Sequence, residues 1–342
     1  MTSNAPRIPT LADVAKSAGV STATVSRCLN SPDRVIAETR EKVLNAVREL
    51  GYAPNFNARA LAARRSNTFG AVIPTMENAI FARGLQAFQE ELHANGITLL
   101  VASSQYQAQI EEEQIQTLVT RGADAVLLIG FDRMPSIYEF LKKRDVPALV
   151  AWAFKPEDAN ISIGFDNRTA MKELAEKVIG LGHQKIAVIS AYQNNNDRAR
   201  ERVEGIRGAM LDNGLDPSTL QVFETSYSID KGSDAFTELF KAEDRPTVVM
   251  CGNDVLAVGA LRAAHQMGLR VPQDVSITGF DDIELASVAN PALTTVHVPH
   301  RKMGREAARM LLKMASGDQG VERRKLTTFI CMRETLSKPF SI

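Results

Sequence analysis

The sequence predicts an all-α helix-turn-helix head, a short linker and a long α/β body of parallel sheets with helices on both faces. Three observations carry this. Residues 10–29 read T-L-A-D-V-A-K-S-A-G-V-S-T-A-T-V-S-R-C-L, two short helices joined by a tight turn. Charge is divided along the chain: of 40 basic and 40 acidic residues, 10 and 5 fall in residues 1–66, so a head of +5 precedes a body of −5. From Thr68 onward, short apolar runs alternate with helical patterns of roughly ten to fifteen residues, the signature of parallel strands covered on both faces.

In the head, Thr10 caps the first helix and Asp13, three residues on, completes a near capping box with its charge on the positive end of the dipole. Leu11, Val14 and Ala15 stand at i, i+3, i+4 and form one buried face. Gly19 stops the helix in the left-handed conformation a glycine adopts without strain. Ser21 caps the second helix, and Val25 and Leu29 anchor it. Thr22, Ala23 and Arg27 then point elsewhere. An arginine can donate a bidentate pair to guanine, a threonine can bond a base edge or phosphate, and an alanine can touch a thymine methyl. Thr10, Ser21, Thr24, Ser26 and Asn30 complete the candidate DNA-contacting set. An ordinary helical hairpin with a solvated arginine would share the pattern; the basic head is the electrostatic footprint of a DNA-binding module.

A third helix is expected from about Ala37 to Leu50, with Ile36, Val43, Val47 and Leu50 as its buried stripe and Gly51 as its end. Residues 55–66, N-F-N-A-R-A-L-A-A-R-R-S, are too short for a stable isolated helix in water. This reads as a linker, either a plain basic one or one that folds on a partner.

The body follows as strands near 68–74, 97–103, 123–130, 146–152, 161–166, 185–190, 247–251 and 275–280. Helices are expected near 80–94, up to Arg121, and at 167–181, 199–213 and 254–267. This is too much for one comfortable sheet, so two lobes are expected. In open parallel sheets ligands sit beyond the carboxyl ends of the strands, which makes the cleft between the lobes the default small-molecule site.

Composition narrows the function. The three cysteines, Cys28, Cys251 and Cys331, have neither a disulfide framework nor metal-ligand spacing, which fits a reducing cytosol. The five histidines follow no ligand spacing. The first residues are polar, and no apolar run approaches the ~20 residues of a membrane span. No G-x-S-x-G, P-loop or H-E-x-x-H is present, so no enzyme, cofactor or metal is expected.

Six stretches, in order, extend these readings: D-V-A-K-S-A-G-V-S-T-A-T-V-S-R, E-L-G-Y-A-P-N, A-L-A-A-R-R-S, C-G-N-D-V-L-A-V-G-A-L, G-L-R-V-P-Q-D-V-S-I-T-G-F-D-D and P-A-L-T-T-V. With them the chain resembles the LacI/GalR family of bacterial transcription regulators over essentially its whole length. The resemblance implies a head at 1–54, a hinge helix at 55–66 and a periplasmic-binding-protein-like body at 67–342. That body would cross between its lobes three times, with one lobe at about 67–165 plus 298–323 and the other at 166–297 plus 324–342. It implies that Thr22, Ala23 and Arg27 read the major groove of double-stranded operator DNA. In the hinge, Leu61 would wedge into the minor groove beside Ala58 and Arg59, with Asn55 and Asn57 in support. It implies effector contacts at Thr75, Asn78, Phe81, Trp152, Asp166, Arg202, Tyr227, Asn253, Asp254 and Asp281.

Such aromatics, amides and acids suit a polyhydroxylated ligand. Two readings stay open for several of them: Trp152 and Phe81 as ligand wall or lobe core, and Asp254 and Asp281 as ligand contacts or helix caps. The polar, basic run 194–200 either supplies cations for an acidic ligand, such as a sugar acid, or is a solvated loop. No leucine heptads follow F-I-C-M-R-E-T-L, so a homodimer is expected on a two-fold operator. The resulting expectation is a cytoplasmic, nucleoid-associated repressor controlled by a sugar or sugar acid. The alternatives are a purine- or nucleoside-responsive or activating regulator of the same family, or a solute-binding protein. The last needs a signal peptide and no head, the opposite of what the sequence offers.

Overall fold

The computed structural model describes residues 8–53, 65–77 and 79–340. The chain divides into two compact units, 1–66 and 67–342.

The head is three helices: α1 (Leu11–Ala18), α2 (Thr22–Asn30) and α3 (Ala37–Leu50). Both caps read from the sequence form. Thr10 Oγ1 accepts from the Asp13 amide at 3.3 Å, while Asp13 Oδ2 accepts from the Thr10 amide at 2.8 Å. Ser21 Oγ accepts from the Thr24 amide at 3.1 Å. Gly19 takes φ +68°, where a side chain would be strained. Val14, Ala15, Val25, Cys28, Val43 and Ala46 form the buried core, with Leu29, Val47 and Leu50 packed at its edge. Ile36 departs from the expected stripe. It is the N-cap residue of α3, with extended backbone and 72% exposure, because the helical phase that buries Val43 begins only after it.

The body holds two parallel sheets. The first lobe contains β1 (Thr68–Ile73), β2 (Thr98–Ser103), β3 (Ala125–Ile129), β4 (Ala148–Ala151) and β5 (Ser162–Gly164). It is flanked by α4 (Ala79–Ala94), α5 (Ala108–Thr120) and α6 (Pro135–Lys143). The second lobe starts with α7 (Asn167–Gly180), β6 (Ile186–Ala191) and α8 (Asp197–Asp212). It continues through β7 (Gln221–Thr225), α9 (Ile229–Leu239), β8 (Val248–Cys251), α10 (Asp254–Gln266), β9 (Ser276–Thr278) and α11 (Glu284–Val288). The chain leaves this lobe through β10 (Thr295–His297) and adds α12 (His300–Ala315), which packs on α4 of the first lobe. A short β11 (Arg324–Lys325) precedes β12 (Phe329–Cys331), which pairs antiparallel with β10.

Strand order is β11-β5-β4-β3-β1-β2 in the first lobe and β7-β6-β8-β9 in the second. Every pair within these two sheets is parallel. β3 and β8 are buried at every position, which is why they read as continuous apolar runs rather than alternations. One position differs from expectation. Residues 324–325, placed by resemblance at the start of the returning second-lobe segment, pair with β5 in the first lobe's sheet. The chain rejoins the second lobe only later, where the Ile277 amide donates to the Thr335 carbonyl at 2.9 Å.

Candidate functional site

The side of the head that the sequence assigns to DNA follows from its core. With Val25 and Cys28 turned inward, Thr22, Ala23 and Arg27 are exposed, while Thr24 and Ser26 are half-buried. Thr10 and Ser21 are exposed and cap their helices. α1 and α3 carry an acid in the first turn, and α2 carries none. The positive dipole end of α2 is therefore not offset by an acid of its own first turn, which is the electrostatics an anion favours. Asn55, Asn57, Ala58, Arg59 and Leu61 lie outside the described residues, as does Asn78 in the body.

In the body, a cavity of about 940 Å³ opens at the carboxyl ends of strands from both lobes. Thr75, Met76 and Glu77 follow β1; Ser103, Gln105 and Tyr106 close β2. The second lobe contributes Ala191, Tyr192 and Asn194–Asn196 after β6, and Glu224–Tyr227 at the end of β7. Tyr106 and Tyr227 come from opposite lobes, and their rings approach to 5.8 Å.

A buried polar cluster couples to this cavity. Burial pushes the Tyr106 hydroxyl above its usual range; Tyr227 and Asp281 act in the same direction, and Arg198 and Arg202 oppose it. Arg202 donates from Nε to Asn167 Oδ1 at 2.9 Å and from Nη1 to the Gly252 carbonyl at 2.5 Å. Its guanidinium lies 3.7 Å above the Phe280 ring centre, and its Nη2 is 3.7 Å from Asp281 Oδ1. Asp281 is 0% exposed, has φ +106°, and accepts no hydrogen bond at either carboxylate oxygen from a described residue. Burial pushes its carboxyl up to about 7, against the opposing pull of Arg202 and Arg198. His300 Nε2 lies 3.9 Å from Asp281 Oδ1, and burial pushes that imidazole down to about 3. A buried carboxylate with unfilled acceptors beside a fixed guanidinium is an arrangement poised for a hydroxyl-bearing partner.

Strain marks the same region. Gln105, Tyr106, Trp152, Asn195, Asp281 and Asp282 all have φ between +53° and +106°, and all follow strand ends. Non-glycine residues in this region cost free energy and cluster where a binding site over-determines the backbone.

Of the residues expected from sequence, the structure places Thr75 and Tyr227 on the cavity wall and Arg202 and Asp281 in the coupled cluster. The other described ones are engaged elsewhere. Trp152 is 2% exposed; its ring packs edge-on against Phe81 at 5.6 Å, and its Nε1 donates to His300 Nδ1 at 3.2 Å. Both aromatics belong to the core cluster. Asn253 caps α10, accepting from the Leu256 amide at 2.9 Å. Asp254 is fully buried and accepts from Thr295 Oγ1 at 2.5 Å and the Ile283 amide at 2.8 Å, so its carboxyl braces the second lobe. Burial, together with neighbouring Asp281, raises that carboxyl well above the usual range. Asp166 caps α7 through the Thr169 amide at 2.9 Å.

In the run 194–200, Asn194 and Asn195 are exposed in a turn, but the arginines are not free cations. From Asp197 the run is the first turn of α8, and it bonds across the cleft to the loop after β3. Asp197 Oδ2 accepts from the Phe131 amide at 2.8 Å, and Arg198 donates to the Ile129 carbonyl at 3.1 Å. Arg200 forms a bidentate pair with Asp132 at 2.7 and 2.8 Å. Gly130 lies under these side chains, where a Cβ would collide with Arg198 and Asp197. Tyr106 and Gln105 were missed in the sequence; only their place just after an apolar run hinted at the role.

The comparisons with known proteins agree with this geometry. Residues 10–55 match the description "Bacterial regulatory proteins, lacI family", and residues 175–336 match a periplasmic binding protein-like domain. A transcriptional repressor, PurR, of Vibrio vulnificus is 33% identical over 89% of this chain and 91% of its own. Catabolite control protein A of Priestia megaterium is 30% identical over 89% and 92%. A LacI-family regulator from Silicibacter pomeroyi superimposes with a TM-score of 0.88 at 25% identity over 96% and 99% of the chains. The lac repressor dimer bound to operator and an anti-inducer superimposes with a TM-score of 0.84 at 28% identity, again over 96% and 99%. A DNA-binding head on a ligand-binding body defines a transcriptional regulator. The chain belongs to the lacI family of bacterial regulatory proteins. Among the described residues, no helix is long and apolar enough to cross a membrane.

Proposed function

We propose that this chain is a repressor, acting as a homodimer on a pseudo-palindromic operator, whose DNA affinity is set by a neutral, polyhydroxylated small molecule in the inter-lobe cavity. One observation carries the ligand class. The wall offers carboxylates, amides, hydroxyls and tyrosines, and among the described residues it contains no Lys or Arg. Acids and amides accept and donate to sugar hydroxyls, while tyrosine faces cover C–H surfaces. An anionic ligand would meet Glu77 and Glu224 with only the cluster around Arg202 to offset them. A neutral sugar is therefore favoured over the sugar acid that the basic run had suggested, since Arg198 and Arg200 are committed to the cross-cleft bonds. The ligand is proposed to touch Thr75, Tyr106 and Tyr227 and to reach Arg202 and Asp281.

A ligand shifts DNA affinity only through differential affinity for two lobe arrangements. The bonds from Asp197, Arg198 and Arg200 to residues 129–132 stabilise one of them, and a ligand filling the cavity is proposed to change their balance. The test is a thermal-shift screen of neutral sugars, sugar acids, nucleosides and purines. At 100 times its Kd, a cavity ligand adds about 2.7 kcal/mol of stability. A neutral sugar is expected to give that shift, and Tyr227→Ala is expected to weaken it at least tenfold in Kd. A response confined to anionic compounds would overturn the ligand class.

A further inference from the structure

We propose that Asp282, His297 and Cys331 form a binding site for a thiol-seeking divalent cation of the zinc class, at the strands that cross between the lobes. The three residues are far apart in the chain and converge through the fold. His297 ends β10, which leads out of the second lobe, and Cys331 ends β12, which returns to it. The antiparallel register pairs Thr295 with Cys331 and His297 with Phe329, so His297 and Cys331 are diagonal neighbours on one face. Asp282 follows β9, in the strained turn that also holds Asp281.

The donor atoms are already grouped. His297 Nδ1 lies 2.8 Å and Cys331 Sγ 3.5 Å from Asp282 Oδ2, and all three ligand atoms lie within 4.8 Å of one another. A tetrahedral zinc, with bonds of about 2.0 Å to nitrogen or oxygen and about 2.3 Å to sulfur, sets its donors roughly 3.3–3.5 Å apart. The hydrogen-bonded Asp282–His297 separation has to lengthen, and that between His297 and Cys331, within 4.8 Å, has to settle at about 3.5 Å. Outer contacts hold the donors in place, as they do around built metal sites. Arg333 Nη2 donates to Asp282 Oδ1 at 2.6 Å, leaving Oδ2 for the cation. The Phe329 ring stacks on His297 at 4.5 Å and fixes its plane. None of the three residues is fully buried, so a cation can enter from solvent, and three protein donors leave one coordination position for water.

Binding replaces the Cys331 S–H bond and the His297–Asp282 hydrogen bond with bonds to the cation: the thiol proton goes to solvent, and the neutral imidazole takes the tautomer with its hydrogen on Nε2, which frees the Nδ1 lone pair. Affinity therefore rises with pH while the thiol is protonated. Because the site ties two crossing strands to the turn carrying Asp281, occupancy stiffens the connection between the lobes.

The test is titration of the full-length protein with Co²⁺ alone, followed by displacement with Zn²⁺. One equivalent per chain with a near-ultraviolet thiolate-to-cobalt charge-transfer band is expected, and that band is expected to vanish in Cys331→Ser. His297→Gln is expected to weaken binding at least tenfold while keeping the band at saturating metal. The other thiols, Cys28 and Cys251, are buried, so a Cys28→Ala/Cys251→Ala protein is expected to keep both band and affinity. Absence of the band in the parent protein, or its survival in Cys331→Ser, would overturn the assignment.

Discussion

Asp281→Asn is expected to give a protein that is more stable than its parent above neutral pH and no longer responds to the cavity ligand. The folded carboxyl sits at about 7 against an ordinary value of 3.8, because burial penalises its charge. A folded value above the unfolded one means that the neutral group supports the fold at acid pH. That support is lost as pH rises from about 4 through about 7. At about 1.4 kcal/mol per unit, the shift corresponds to about 4 kcal/mol of destabilisation by the charged form. Asn removes the charge and keeps the shape. Urea unfolding near pH 4 should show little difference between the two proteins, and near pH 8 the variant should be more stable by up to that amount. Equal stabilities at both pH values would mean that Asp281 bears no buried charge. A ligand affinity unchanged in the variant would remove Asp281 from the binding site.

Arg27→Ala is expected to reduce operator affinity by about 1–3 kcal/mol and relax preference at one base pair in each half-site. Arg27 is exposed on the outer face of α2, and the packing of Val25 and Cys28 fixes its direction. Its replacement leaves that core untouched, so the loss should appear on operator and be small on random DNA at the same salt concentration. Competition with operators substituted one base pair at a time checks this. An Arg27→Ala head with the parent's base preference would show that the arginine contacts phosphate only, since phosphate contacts position without specifying.

How legible each region was follows from how local its physics is. The head was readable because caps and i, i+4 packing are set within a few residues: Thr10–Asp13, Gly19 and Ser21–Thr24 all form as the sequence implies. Ile36 failed because an apolar residue just before a helix shares its sequence pattern without its burial. The alternation of buried strands and helices gave the two sheets directly. β7, with its mixed and only partly buried residues Q-V-F-E-T, and the two-residue β11 carry no such signal.

The cavity was harder to read because its residues come from four strand ends brought together by topology. Trp152 and Phe81 were apolar in either role, and only their packing against His300 and each other assigns them to the core. Asp254 and Asp281 look alike in sequence. One has both oxygens satisfied by Thr295 and Ile283, and the other has neither satisfied by a described residue. For Arg198 and Arg200 the sequence leaves cleft cations and a solvated loop equally open, because their partners, the Ile129 carbonyl and Asp132, come from the other lobe.

The most direct test of ligand-controlled DNA binding is reciprocity. Operator affinity should be measured by fluorescence anisotropy, at one salt concentration, with and without the saturating sugar identified by thermal shift. The sugar's affinity should then be measured calorimetrically with and without operator. A coupling of about 1–3 kcal/mol is expected, equal in both directions because linkage requires it. A sugar that binds the cavity tightly and leaves operator affinity unchanged would contradict the account.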